Sequence, residues 1–139
     1  MYEKIVVAVD HSDSTPRVLD AARSLASLSH GEVWVIHLRE REMLARTGMV
    51  TSTETAQQAG ADVTDVVNAL TQAGIKAHGV VRDATFGYAA AEIVTEAKNR
   101  EADVIVMGSR GRSDLAGLVL GSTTHKVIHL TDRPVLIVR

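Results

Sequence analysis

The sequence predicts an α/β fold, an open parallel sheet of five strands in a single domain with helices on both faces. Three observations carry that expectation. Continuous apolar runs at 5–9 and 104–107 read as central parallel strands, the first buried on both faces, and a third run at 135–138 reads as a strand at the end of the chain. The segments between them are Ala-rich and repeat their apolar residues with a helical period. One Phe, two Tyr and one Trp leave an aliphatic core, which suits Val/Ile/Leu strands under Ala-rich helices better than an aromatic-rich sandwich.

The first strand is Ile5-Val6-Val7-Ala8-Val9. It ends in Asp10-His11-Ser12-Asp13-Ser14-Thr15-Pro16, where Thr15 reads as an N-cap with Pro16 at the first helical position. Val18, Ala22 and Leu25 mark one face of the following helix, with Gly31 as its stop. Val33-Trp34-Val35-Ile36-His37-Leu38 is the second strand, with His37 a strand residue whose ring is satisfied. Residues 39–55 carry no decisive pattern. Arg39 to Arg46 is a charged, solvated run compatible with a short helix, and Thr47 to Thr55 is hydroxyl-rich and expected to move.

From Ala56, the positions of Val63, Val66, Val67 and Leu70 fit a helix closed by Gly74. Ile75 to Val81 alternates more and is expected at a sheet edge. Phe86, Ala90, Ile93, Val94 and Ala97 share one face of a third helix. Val104-Ile105-Val106-Met107 is a central fourth strand. Beyond a Gly-rich turn, Ser122 is expected to cap a helix through Val127 and Leu130. Pro134-Val135-Leu136-Ile137-Val138 is the fifth strand, its proline at the start, where a missing N–H is tolerated.

Strand and helix alternate throughout, with crossovers long enough to be right-handed, so residues 1–139 read as one domain. Ligands of such sheets sit beyond the carboxyl ends of the strands, where strand order reverses. The first and fourth strands should flank that point, with Asp10 and Gly108 at their ends.

A net charge of −2, with both signs dispersed, argues against a nucleic-acid partner. The absence of cysteine removes disulfides, thiolate catalysis and Cys-based zinc sites. No apolar run approaches membrane-spanning length, and Met1-Tyr2-Glu3-Lys4 leads straight into a strand without the apolar stretch of a signal peptide. A soluble, cytoplasmic protein is expected.

The chemistry concentrates in Gly108-x2-Gly111-x9-Gly121-Ser122. Gly108 ends a strand and lets backbone approach a sugar or phosphate without a Cβ, and Gly111 turns the loop. Gly121, Ser122, Thr123 and Thr124 open a helix whose unpaired N–H groups and dipole favour phosphate oxygens. Ser122 and Thr124 add hydroxyls, and Arg110 and Arg112 add positive charge. The bland reading is that the glycines end strands and Ser122 caps a helix. Their joint spacing, placed after a central strand and at a helix start, favours a nucleotide phosphate. Neither Gly-x4-Gly-Lys-[Ser/Thr] nor Gly-x-Gly-x-x-Gly after the first strand is present, which argues against P-loop and dinucleotide folds. His125 and His129 stand one helical turn apart, a spacing zinc can use, but no third ligand is near in sequence. The metal complement stays open on this reading.

These residues resemble the universal stress protein family from end to end. The likeness runs through Lys4-Ile5-Val6-Val7-Ala8-Val9-Asp10, Ile36-His37-Leu38, Ala102-Asp103-Val104-Ile105-Val106-Met107-Gly108 and Arg133-Pro134-Val135-Leu136-Ile137-Val138. The glycine spacing is that of the family's ATP-binding branch. The resemblance implies strand order 3-2-1-4-5, ATP (or AMP/ADP) with Mg²⁺, and a homodimer through the last strand. It further implies that Ala8, Val9 and Asp10 line a nucleoside pocket and that Leu38 offers backbone contacts to adenine. Met107, Gly108, Arg110 and Gly111 would follow ribose and phosphates, and Gly121, Ser122, Thr123 and Thr124 would cradle the phosphate tail.

Three positions depart from the family pattern. His11 replaces a usual glycine and would crowd or contact the ligand. Asp114 stands where glycine is frequent, so it would either hold Mg²⁺ or repel phosphate. Thr123 replaces a common valine. The expected function is an ATP-binding regulatory module for stress response with at most slow hydrolysis. The alternatives are a slow ATPase or phosphotransferase, and a structural dimer that has lost its ligand.

Overall fold

A computed structural model describes residues 1–10, 12, 14–43, 47–51, 54–109 and 120–139. In chain order the elements are β1 (Lys4–Val9), α1 (Thr15–Ser29), β2 (Glu32–Met43), β3 (Val50–Thr51) and α2 (Ala56–Gln72). They continue with β4 (Lys76–Thr85), α3 (Ala89–Asn99), β5 (Val104–Gly108), α4 (Ser122–Leu130) and β6 (Val135–Val138). Five parallel strands form a sheet in the order β4-β2-β1-β5-β6, which is the expected 3-2-1-4-5 among the long strands. The short β3 adds an antiparallel pairing to the far end of β2, Glu42 opposite Thr51 and Met43 opposite Val50.

Because successive strand residues point to opposite faces, the apolar runs build two cores. Ile5 and Val7 of β1, Val33 and Val35 of β2, and Val104 and Val106 of β5 pack under α1 and α2, against Val18, Ala22, Ala26, Val63 and Leu70. On the other face Val6, Ile36, Ile105 and Met107 meet Ala90, Ile93, Val94 and Ala97 of α3 and Val127 of α4. Both faces are covered by helices, which is why these strands carry no polar alternation.

Several boundaries differ from the sequence expectation, each for a physical reason. The charged run 39–43 is strand, not helix: Arg39, Glu40 and Arg41 pair with Asp83, Ala84 and Thr85, so β2 and β4 extend together past the end of β1. That extension also removes Phe86 from the third helix. Its N–H donates to the Arg41 carbonyl at 3.0 Å, and its ring is 67% exposed in the turn before α3. Helix α1 is capped at Ser14 rather than Thr15, and α4 at Gly121 rather than Ser122. In α4 the Gly121 carbonyl accepts the first helical bond, from the His125 N–H at 2.9 Å.

Gly31 does not supply the left-handed turn after α1. His30 does, with φ at 55°. Gly31 is needed for closeness instead, since a Cβ there would lie 2.6 Å from the Glu3 carbonyl oxygen. Gly74, by contrast, follows α2 with φ at +83°, as expected of a closing glycine. A capping box that sequence reading passed over starts α2: Thr55 Oγ1 accepts from the Gln58 N–H, and the Gln58 side chain accepts from the Thr55 N–H.

Candidate functional site

Strand β1 sits between β2 and β5, so chain order reverses at its two flanks, and in sheets of this kind the ligand crevice lies beyond the carboxyl ends of the strands there, here β1 and β5. Register sets the residues. Val9 lies opposite His37, which puts Leu38 level with Asp10. Val7 lies opposite Val106, and two steps further Val9 is level with Gly108. Ala8, Val9, Asp10, Leu38 and Gly108 are all half-buried there, whereas the Met107 side chain turns into the α3/α4 core.

Asp10 forms the turn that leaves β1. Its Oδ1 accepts from the Ser12 N–H at 2.9 Å, an Asx turn, while the Thr15 hydroxyl donates to the Asp10 carbonyl at 2.5 Å and lies 3.1 Å from Oδ1. Thr15 thus begins α1 while its hydroxyl pins the strand end. The second carboxylate oxygen of Asp10 has no hydrogen bond among the described residues.

On the other side, α4 is fastened to the end of β5. Gly121 N–H donates to the Ser109 carbonyl at 2.7 Å, and Ser109 N–H donates to the Val138 carbonyl of β6 at 2.8 Å. Thr124, 3% exposed, donates its hydroxyl to the Gly108 carbonyl at 2.8 Å. That hydroxyl was expected as a ligand donor; it is spent on holding the helix start against the strand. Ser122 is exposed and Thr123 half-buried, and the N–H groups of residues 122–124 have no acceptor among the described residues. Arg110, Gly111, Arg112 and Asp114 of the loop, and His11 after Asp10, lie outside the described residues.

The arginines at the end of β2 do not supply charge to the crevice. Asp83 binds Arg39 through two bonds of 2.7 Å each and Arg41 at 3.2 Å. Hydrogen bonding from Arg39, with Arg41 adding charge, holds the Asp83 carboxyl below the ordinary carboxylate value. No group of three or more metal-ligating side chains occurs among the described residues. His125 and His129 meet edge to face on α4 with ring centroids 4.5 Å apart.

Sequence reading missed one feature beside the crevice. His37, 5% exposed, places Nδ1 3.0 Å from the Val9 carbonyl and Nε2 against Glu54 Oε1. No local pattern signals a pair seventeen residues apart.

The universal stress protein family model matches residues 1–139. Universal stress protein YxiE of Bacillus subtilis is 34% identical over 151 residues, covering 100% of both chains. Among solved structures, the universal stress protein from Archaeoglobus fulgidus in complex with dAMP is 27% identical with a TM-score of 0.74, covering 99% of this chain and 98% of that one. A universal stress protein in complex with cAMP is also 27% identical, with a TM-score of 0.68 over 99% of this chain and 97% of that one.

Proposed function

The chain belongs to the universal stress protein family, and from that premise we propose that it is a regulatory module binding ATP, or AMP or ADP, at the carboxyl ends of β1 and β5. One observation carries the reading. The first turn of α4, with N–H groups at 122–124 that meet no acceptor among the described residues, is clamped against the end of β5, where the spacing Gly108-x2-Gly111-x9-Gly121-Ser122 suits a phosphate cradle. Adenine nucleotides in two relatives of the same fold support the ligand class. Ala8, Val9, Asp10 and the Leu38 backbone would line the nucleoside; Met107, Gly108, Arg110 and Gly111 would follow ribose and phosphates. Gly121, Ser122, Thr123 and Thr124 would hold the phosphate tail through backbone N–H groups, with the Ser122 hydroxyl free to add a bond.

Asp10, with one carboxylate oxygen uncommitted among the described residues, fits an accompanying Mg²⁺, which when bound would neutralise phosphate charge. A second copy of the chain would pair with β6. This strand has β5 on one side only, and Leu136 at its edge is 40% exposed. Hydrolysis would be slow, because no described side chain in the crevice is placed to orient a water.

Calorimetric titration of the purified chain with Mg-ATP tests the reading, alongside sedimentation of the same sample. Saturable heat at submillimolar ATP and a dimeric mass are expected. Absence of both heat and thermal shift would remove the nucleotide, and a monomer at micromolar protein would remove the β6 pairing.

A further inference from the structure

The His37–Glu54 pair plays no part in the nucleotide reading, yet it touches the strand end on which that reading depends. His37 is buried, and the Glu54 side chain is 14% exposed. A carbonyl oxygen can only accept, so the ring must carry a proton on Nδ1 to bond the Val9 carbonyl at 3.0 Å. Nε2 then faces Glu54 Oε1, and that contact is a hydrogen bond when one proton lies between ring and carboxyl. The position of Glu54 is itself fixed from outside the crevice. It directly precedes Thr55, whose capping box starts α2, and α2 packs on the sheet through Val63 and Leu70.

The Val9 carbonyl belongs to the peptide that also contains the Asp10 N–H. Holding it sets the plane from which the Asp10 carboxylate turns back to Ser12 and Thr15. We propose that Glu54 is a positioning residue for the crevice: it holds the His37 ring with Nδ1 on the Val9 carbonyl and so fixes the Val9–Asp10 peptide. Its effect on ligand affinity rests on the nucleotide reading above, while its effect on ring and peptide does not.

The test compares wild type with Glu54→Ala, Glu54→Gln and Glu54→Leu, first without ligand. In Glu54→Gln the side-chain amide can donate to Nε2 and keep the proton on Nδ1, so this variant should rescue. Glu54→Leu fills the half-buried slot without any polar partner and serves if Glu54→Ala does not fold. Long-range ¹⁵N–¹H spectra should show Nδ1 of His37 protonated in wild type and Glu54→Gln. In the Ala and Leu variants Nε2 loses the Glu54 carboxyl, so the Nε2 signal of His37 should move, and the less firmly held ring should displace the amide signals of Asp10 and Ser12. With Mg-ATP, the Ala and Leu variants should bind about tenfold more weakly and Glu54→Gln within about twofold of wild type.

A destabilised fold alone would lower the melting temperature without displacing the Asp10 and Ser12 amide signals. Unchanged His37 and Asp10 signals in the Ala and Leu variants would overturn the proposal, as would equal ATP affinity in all four proteins. A wild-type chain that binds no nucleotide would sink the proposed function and leave this inference to be decided by the ring and amide spectra.

Discussion

At the amino end of β1 the backbone is sewn shut, while at its carboxyl end several polar groups have no partner among the described residues. Asp103 Oδ2 accepts from the N–H groups of both Glu3 and Lys4 at 2.9 Å each, and Asp103 N–H donates to the Lys4 carbonyl at 2.8 Å. Glu32 N–H donates to the Glu3 carbonyl at 2.7 Å, and Gly31 passes so near Glu3 that no Cβ fits between. Salt bridges of 2.9 Å, Lys4 to Glu101 and Lys76 to Glu32, ring the same end. Across the sheet, Asp10 keeps a carboxylate oxygen without a described partner, and the N–H groups of residues 122–124 meet no acceptor among the described residues. An unpaired backbone donor has a cost that water or a ligand must offset. The contrast suits the closed end to stability and, on the proposed reading, the open end to binding.

Substitutions at the two ends should therefore separate these properties. The largest effect is expected from Gly31→Ala. Its new Cβ would meet the Glu3 carbonyl oxygen at 2.6 Å and the Glu3 Cα at 2.9 Å, both backbone atoms that cannot rotate away. Overpacking of this kind costs about 1–3 kcal/mol, which should lower the melting temperature by several degrees. Affinity for Mg-ATP below the transition should stay at the wild-type value. A melting temperature equal to wild type would show that the closed end tolerates the shift and that its tight packing contributes little.

Gly121→Val should do the reverse. Gly121 caps α4 at φ −64°, ψ 152°, a conformation open to any residue, so backbone strain does not bar a side chain at this buried position. The added branched side chain stands where phosphate should approach, and affinity should fall tenfold or more, about 1.4 kcal/mol. Calorimetry beside a melting curve reads both quantities. Normal binding in a folded variant would contradict the phosphate role of this helix start.

The smallest effect is acid sensitivity of the closed end. Hydrogen bonds from Lys76 and then His78 hold the Glu32 carboxyl below its ordinary value, and a hydrogen bond from Lys4 does the same for Glu101. A lowered folded value means stability that is present above about pH 4 and lost as pH falls through the folded values below it. These pairs are solvent-exposed to differing degrees, so the change should be modest. Melting curves between about pH 6 and 3 should fall less steeply for Glu32→Gln and Glu101→Gln than for wild type. Superimposable pH profiles would mean that neither pair contributes.

The closed end was nearly invisible in the sequence. Gly31 reads as a helix stop, and it does follow α1, but the residue that turns left-handed is His30. What demands glycine is Glu3, twenty-eight residues earlier, arriving alongside only when β1 and β2 pair. Strand β2 ran past its apolar segment for a similar reason. Arg39 and Arg41 look like a solvated helix until β4 pairs alongside, with Asp83 opposite Arg39 and within reach of Arg41. The open end was legible because its signals are local: an apolar run followed by Asp10, another followed by Gly108, and Gly121 before a helical period.

The sequence by itself determined the fold class, the alternation of five long strands with four helices, the order of the sheet through family resemblance, and which strand ends meet. Those follow from periodicity and from residues whose backbone preferences act over a few positions. Tertiary structure alone decided how the polar groups at those ends are used. The Thr124 hydroxyl goes to Gly108 rather than outward, and Glu54 finds His37 on the end of β2. Each of these bonds joins groups brought together by strand register and helix packing, and a hydrogen bond is made only where distance and direction are both met.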